Sequence, residues 1–531
     1  MNRQHALRLL NQVARKRTRA SLVEVAGRSR RRQVTRPMRM FLGDLEATLD
    51  RYTAPSVAVL VGKRPSQVAK IVATARPRAQ VTAVDIGSGE SAVHARLAAA
   101  GPFQVVVDDT RVYRAMVERF KEALYQLDAG GTLLVRHPGV RPPRAEPTAE
   151  AGLWELVGRL AHLGAHKGGR SLRGRSGRSG RQLAYLASAV GRITLDARHM
   201  VVAKRGRTLV KLREDEMDAV LAARSDQPGR VIERRPAREL RSRCVLHDTA
   251  GKRSRGMPEV YRVPPVSLRE YHDVLCLPGQ VALQENLVLP DTFRHHKDPV
   301  IWNRFLPDAS ERFAQVPSTG TPLRLRGAYF YLDSEWPGHF GHCMTEQMSR
   351  LWAWPQAKAL FPDLKALLAL KEGATGLTAF ERGIFASAGI HERDIVLMDG
   401  PVQVEHLVAA TPMFSMPKYV HPDIEDTWRA VGDALVAGAS ERDWPQRIFC
   451  SRRIAKRACS NVDEVEGLFR GQGFEVVYPE DFPLADQVRL FREAEVVAGF
   501  AGSGLFTLSL SDSPKRVIMI SSKTTPRATS T

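Results

Sequence analysis

Four short apolar runs rich in β-branched residues pace the first part of the chain: SVAVLVG (56–62), VTAVDIG (81–87), FQVVVDD (103–109) and GGTLLVRH (130–137). Between them lie stretches of helical period, SQVAKIVATA, AVHARLAAA and VYRAMVERFKEALYQLD. Runs that are apolar on both faces belong in the middle of a sheet covered on both sides, and helix-length connections make neighbouring strands parallel. Residues 46–210 are therefore expected to form a Rossmann-type, doubly wound α/β domain. QLAYLAS and HMVVAKR read as an antiparallel hairpin closing it.

At 531 residues the chain is too long for one core. A basic leader is expected over 1–45 and a charged linker with a helix over 211–265. Two further lobes follow, 266–440 and 441–522, then a loose tail, 523–531. The formal net charge of +22 is unevenly spread. Residues 1–40 hold twelve Lys/Arg against one acid, Glu24, and HKGGRSLRGRSGRSGR (166–181) has no acid at all. Charge of this kind bears on anionic partners rather than on fold. HALRLLNQVARK suits a short amphipathic helix on anionic lipid, or a solvated leader. Neither basic segment interleaves aromatics for base stacking, so no nucleic-acid partner is expected. Five scattered cysteines without a CxxC pair argue against a disulfide scaffold and for a cytoplasmic protein. No apolar run reaches the roughly 18–20 residues that span a bilayer.

The Gly-x-Gly in VDIGSGESAV is similar to the cofactor loop of class I methyltransferases. If SVAVLVG is the first strand, however, the cofactor loop is GKRPSQ, with one glycine, and Asp85 ends the second strand. This register implies a methyltransferase-like domain with a degraded loop. In the other register Asp108 or Asp109 takes the place of Asp85.

EWPGHFGHCMTEQMSRLW (335–352) sets His339, His342 and Glu346 at i, i+3 and i+7. Pro337 and Gly338 read as the start of a helix, with His339 in the turn before it. That leaves His342 and Glu346 as a pair, which suits a sugar hydroxyl better than a structural zinc. Met344, Met348 and Leu351 read as packing positions.

Residues 445–520 read as another open α/β unit. RIFCSR is a strand leading to Arg452 and Arg453, and NVDEVEGLF is a helix with Asn461 at its N-cap. FEVVYPE is a strand, and EVVAGFAGSGLF runs from strand into a glycine-rich turn. Gly502, Ser503 and Gly504 offer backbone N–H groups to an anion. Arg452, Arg453 and Arg457 offer forked cations. On successive loops of one sheet this is a diphosphate site.

The run resembles glycosyltransferase family 61, with its capsule-type bacterial members. The matching residues are Arg447 with Ser451 and Arg452, Asn461 with Glu464, Gly473-Phe474-Glu475, Gln487, and Gly499 through Leu505. His342, Cys343, Glu346, Arg350 and Leu351 match an earlier motif. Two positions depart from the pattern: Ala501 stands where the family has histidine, and Cys343 where tryptophan is common. The resemblance covers roughly 270–520. It implies a two-lobed, GT-B-like inverting transferase with a nucleotide-sugar donor and a glycan or lipid-linked glycan acceptor, needing no cofactor and no metal. It also implies Glu346 and His342 as the candidate base. The donor-binding set would be Arg447, Arg452, Arg453, Arg457, Asn461, Gln487, Gly502, Ser503 and Gly504. The expected place is the cytoplasm, at the inner face of the membrane. The alternatives are an S-adenosylmethionine-dependent methyltransferase acting through 46–210, or a basic nucleic-acid-binding protein.

Overall fold

The computed structural model describes residues 20–29, 34–62, 66–110, 112, 115–136, 153, 155–160, 162–163, 178–196, 199–224, 228–245, 259–453 and 459–520. The chain divides into two compact units. Unit 1 comprises Met1–Gln227, Leu283–Pro290 and Val300–Ser318; unit 2 comprises Pro228–Ala282, Asp291–Pro299 and Thr319–Thr531.

Unit 1 is built on a sheet of β1 (Ser56–Val61), β2 (Gln80–Asp85), β3 (Phe103–Asp108), β4 (Leu127–Arg136), β5 (Val190–Asp196) and β6 (His199–Lys204), in the order β2-β1-β3-β4-β6-β5. The first four strands run parallel, and β6 is antiparallel to both its neighbours. The order reverses on either side of β1, which makes the sheet Rossmann-like. Alternate residues of β1 and β3 (Val57, Val59, Val105, Val107) bury one face against Ile71 and Val72 of the helix Val68–Ala75. SVAVLVG is therefore the central first strand, and Asp85 does end the second.

Three expectations change in detail. QLAYLAS is helical, inside Arg178–Ala189, and the closing hairpin is made by β5 and β6. Its small and aromatic residues fit a helix on the sheet, whereas VGRITLD carries the β-branched residues a strand favours. The 45/46 boundary falls within the helix Arg36–Leu49, because Phe41, Leu42, Leu45 and Leu49 join the unit 1 core together with Leu22. The stretch 211–265, read as a linker with a helix, has its helix at Glu214–Ala223 but also strands at Gly229–Arg235, Arg238–Arg241 and Val260–Val263. Residues 1–19, most of the 166–181 basic run and the tail lie outside the described residues.

Unit 2 is built on two larger sheets. The first contains β7 (Gly229–Arg235), β8 (Val266–Leu277), β9 (Leu323–Tyr331), β10 (Lys365–Ala369), β11 (Ile395–Met398) and β12 (Val402–Ala410), ordered β7-β8-β12-β9-β10-β11. From β12 through β11 its pairings are parallel. The second contains β13 (Arg447–Cys450), β14 (Glu475–Val477), β15 (Val496–Phe500) and β16 (Arg516–Ile520), all parallel, ordered β14-β13-β15-β16. One apolar core joins Phe330, Met344, Met348, Leu351 and Leu368 to Val431, Leu435, Val488 and Leu510. Met344, Met348 and Leu351 are thus packing residues, as their spacing implies. The α/β class holds for both units.

Lys204, at the end of β6, is buried and donates to the carbonyls of Tyr125 and Leu127. Burial pushes its ammonium down to about 7, with Asp128 opposing. Between that value and the ordinary lysine value of 10.5, the unfolded chain binds a proton that the folded chain does not. This group therefore makes stability rise with pH across that window. Denaturant unfolding at pH 7 and pH 9 is expected to show this gain, and Lys204→Met to reduce it.

Candidate functional site

The segment after β9 changes helical form three times within one rod. Phe340–His342 makes a single α-turn, Cys343–Gln347 is π-helical, Met348–Ala353 is 3-10, and Trp354–Leu360 is α again with Pro355 in its first turn. A π-turn is uncommon and often marks a functional position. His339 occupies the N-cap with extended backbone, so the helix starts later than Pro337 and Gly338 suggested, and His339 is off its face. Across the π-turn, His342 Nδ1 lies 2.6 Å from Glu346 Oε1. Arg294 Nε lies 2.7 Å from the same oxygen, as a close ion pair rather than an aligned hydrogen bond. Trp336 stacks on the His342 ring at 5.6 Å and 13°, and His339 meets it edge-on at 4.7 Å. Glu346 Oε2 is buried with no hydrogen-bond partner among the described residues. Next to Arg294, the His295 imidazole is pushed below its ordinary range by burial and by the guanidinium charge.

The base of this rod is anchored by DSE (333–335), whose three residues are all buried. Asp333 accepts the backbone N–H groups of Gly279 (3.0 Å), Gln280 (2.7 Å) and Ala369 (2.9 Å). Burial raises its carboxyl above the usual range despite those bonds. Arg350 is buried and donates to the Asp333 carbonyl at 3.0 Å. Asp333 is therefore a brace joining three chain segments. Cys343 is buried in the core.

Opposite the rod stands the glycine-rich turn after β15. A Cβ built on Gly341 would lie 2.9 Å from Ser503 Cβ and 3.3 Å from the Phe506 ring. The turn bearing His342 thus touches the turn of Gly502, Ser503 and Gly504, and only glycine permits that approach. Arg452, in the loop after β13, donates to the Ala501 carbonyl at 3.2 Å, and its Nη2 lies 3.5 Å from where a Gly502 Cβ would be. So His342, Glu346, Ser503, Gly502 and Arg452 belong to one place, with Gly504 exposed beside them.

The other residues expected to bind donor do different things. Arg447 is at the opposite, amino end of β13, its guanidinium 4.5 Å over the Phe474 ring. A four-residue strand of roughly 13 Å separates it from the glycine turn, which removes it from the site. Arg453 is engaged with Asp481 at 2.5–3.1 Å and stacks over Tyr478 at 4.0 Å. Asn461 occupies the N-cap of Val462–Gly471 without capping it, and donates instead to Glu464 at 3.0 Å. Gln487 donates to the Phe482 carbonyl at 2.9 Å, a role inside its own helix start. Arg457 lies outside the described residues.

Sequence reasoning missed Arg294, Trp336 and Glu466. Arg294 is far from Glu346 in sequence, and Trp336 lacks a spacing signal. Glu466 accepts from Ser451 Oγ at 2.6 Å, Tyr478 Oη at 2.9 Å and Arg470 at 2.9 Å. Burial pushes its carboxyl up, but those three donors outweigh it and hold it below the usual range. Ser451 is thereby tied down immediately before Arg452. An inward acid at the middle of NVDEVEGLF was the available signal.

Residues 340–518 match the family model Glycosyltransferase 61. This segment is thus similar to the glycosyltransferase 61 domain. It covers about a third of the chain and includes His342, Glu346, Arg452 and the glycine turn. No curated protein matches the chain. Among solved structures, the MycE methyltransferase from the mycinamycin biosynthetic pathway is similar at 15% identity over 36% of this chain and 55% of that one, with a TM-score of 0.28. The chain thus spans about half the length of that relative. The iron-containing heptosyltransferase TibC, solved with ADP-D-beta-D-heptose, is similar at 11% identity over 48% of this chain and 75% of that one, with a TM-score of 0.21. A protein-(glutamine-N5) methyltransferase from Alicyclobacillus acidocaldarius shares 16% identity over 32% and 94%, with a TM-score of 0.21. Likenesses this slight carry no chemistry across. Among the described residues, no helix is long and apolar enough to cross a membrane.

A methyl group at position 341 has to push the two halves of the candidate site apart. Gly341→Ala is expected to lower kcat/KM at least about tenfold and to cost about 1–3 kcal/mol in urea unfolding, the usual penalty for overpacking. Gly438→Ala, where a Cβ meets only Leu435 O at 3.7 Å, is the control expected to leave activity unchanged.

Proposed function

We propose that unit 2 transfers a sugar, with inversion, from a nucleotide-sugar donor to a hydroxyl of a glycan or lipid-linked glycan acceptor, in the synthesis of an extracellular or capsular polysaccharide. The observation that carries this reading is the His342–Glu346 pair held against the turn of Gly502–Gly504 and Arg452. An inverting transfer needs a base at the acceptor hydroxyl and positive charge at the departing diphosphate, on opposite sides of the anomeric carbon.

Each task has its residues. Glu346 faces Arg294 and accepts from His342 Nδ1, which assigns the neutral imidazole its Nδ1–H tautomer. His342 Nε2 is then the atom that takes the acceptor proton, and Glu346 stabilises the imidazolium that results. The stacked indole of Trp336, 40% exposed, offers a flat apolar surface to a sugar ring. On the other side, the N–H groups of the glycine turn and the Arg452 guanidinium receive the diphosphate. The step breaks the bond from the anomeric carbon to the donor phosphate oxygen. It forms the bond to the acceptor oxygen, and the proton leaves on His342. This assignment asks for no metal ion in the step. We place the reaction in the cytoplasm at the inner face of the membrane, with the basic N-terminal segment contacting anionic lipid.

For the methyltransferase alternative in unit 1, Asp85, exposed at the end of β2, remains as the candidate cofactor acid, whereas the two acids of the other register are engaged. Asp109 is paired with Arg136 at 2.8 Å and accepts from Ser66, while Asp108 is occupied by Thr110 and Arg119.

The test begins with a panel of nucleotide sugars and S-adenosylmethionine in a thermal-shift assay. A nucleotide sugar is expected to raise Tm by mass action; a response to S-adenosylmethionine alone overturns the assignment. With the donor identified, His342→Asn is expected to lower kcat by about 10²–10⁴-fold, the range for loss of a general base. Arg452→Ala is expected to weaken donor binding, and NMR of the product to show the inverted anomer. Full activity in both variants rules out this site.

A further inference from the structure

β8 and β12 pair antiparallel with His272 directly opposite His406. Glu270 lies two residues before His272, so the pleat puts all three side chains on one face, the face that carries Val266 and Leu268 into the unit 2 core. Where that face leaves the core, Glu270 Oε1 lies 2.9 Å from His406 Nδ1 and 3.4 Å from His272 Nε2. One ligand atom from each residue lies within 4.8 Å of the others. Two imidazoles and a carboxylate oxygen converge on one point, and none belongs to the residues assigned to sugar transfer.

We propose that Glu270, His272 and His406 bind a divalent first-row transition cation of the zinc class. Two imidazole nitrogens and one carboxylate oxygen are a donor set for such ions, with the fourth tetrahedral position left to water. Ligand atoms around a tetrahedral zinc are about 3.3 Å apart at ordinary bond lengths, so small rotations bring these three into place. Arg230 grips the other carboxylate oxygen at 2.8 Å and orients the carboxylate, as outer partners of metal ligands do. Arg230 is 65% exposed, which leaves its charge well solvated beside a cation. His272 and His406 are 40% and 37% exposed, open enough for an ion to enter from water. Bound there, the cation cross-links β8 to β12.

The experiment uses the untagged full chain, stripped with EDTA and dialysed. It is titrated with ZnCl2 by calorimetry and with CoCl2 by visible absorption. The expected result is a site of one cation per chain, a tetrahedral cobalt spectrum and a higher Tm with zinc. In His272→Gln and His406→Gln that site is expected to weaken at least about tenfold, since even outer-partner changes cost that much. Zinc binding of unchanged affinity and stoichiometry in the double variant, or no binding by the unmodified chain, overturns the proposal. Should a variant fail to fold, diethyl pyrocarbonate modification of the unmodified chain, mapped by mass spectrometry, decides. Zinc must protect His272 and His406; equal modification with and without zinc is the negative result.

Discussion

The absent side chain at position 341 lets a helical turn from one sheet rest on a glycine turn from the other. A Cβ there would sit 2.9 Å from Ser503 Cβ, closer than two carbons tolerate. Without that contact, the imidazole–carboxylate pair and the glycine turn would be features of separate sheets. With it, the imidazole–carboxylate pair and the N–H and guanidinium donors of the glycine turn are brought to one place. The packing behind them is one core, from Met344 and Met348 through Val431 and Leu435 to Val488 and Leu510. The spacing of that pair from the glycine turn therefore rests on apolar packing.

Two buried carboxylates hold that geometry, each with its own chemistry. Asp333 collects backbone N–H groups from Gly279, Gln280 and Ala369, so it fixes chain paths rather than charges. Glu466 collects Ser451, Tyr478 and Arg470, and so holds the loop from which Arg452 reaches the glycine turn. Removing either would leave buried donors unpaired, which is costlier than the bonds themselves are favourable. The acids easiest to mistake for catalytic groups or metal ligands in DSE and NVDEVEGLF are thus structural.

The parallel strands of both units were legible because a strand covered on both faces must be a continuous apolar run, as in SVAVLVG and the IFC of RIFC. The hairpin was misplaced because QLAYLAS and VGRITLD are adjacent and both half apolar; only β-branching separates them. At the site, His342 and Glu346 were legible as an i,i+4 pair, and the glycine turn by its composition. Arg294 was not, since an ion pair between distant segments leaves no local pattern. Arg447 and Arg452 looked equivalent in a motif, yet they leave opposite ends of β13. A motif records which residues occur together, whereas a parallel strand sends its two ends to opposite edges of the sheet.

That polarity also explains why the donor-binding set contracts. In an open parallel sheet only the carboxyl ends of the strands share an edge, and the ligand crevice lies outside them. Arg452 follows β13 and Gly502 follows β15, strands paired with Cys450 opposite Gly499, so their loops emerge side by side. Arg453 leaves the same loop but is turned away by Asp481 and the Tyr478 ring. One guanidinium is thus left for the glycine turn and its neighbour for the loop that carries it. Position 501, which holds histidine in the family pattern, contributes only its carbonyl here, and that carbonyl accepts from Arg452. On the proposed reading, losing an imidazole there removes a donor from the diphosphate side but leaves the guanidinium anchored to the backbone. On the proposed reading the imidazole that remains, His342, paired with a carboxylate, serves the acceptor, and the two halves of the transfer are divided between two sheets.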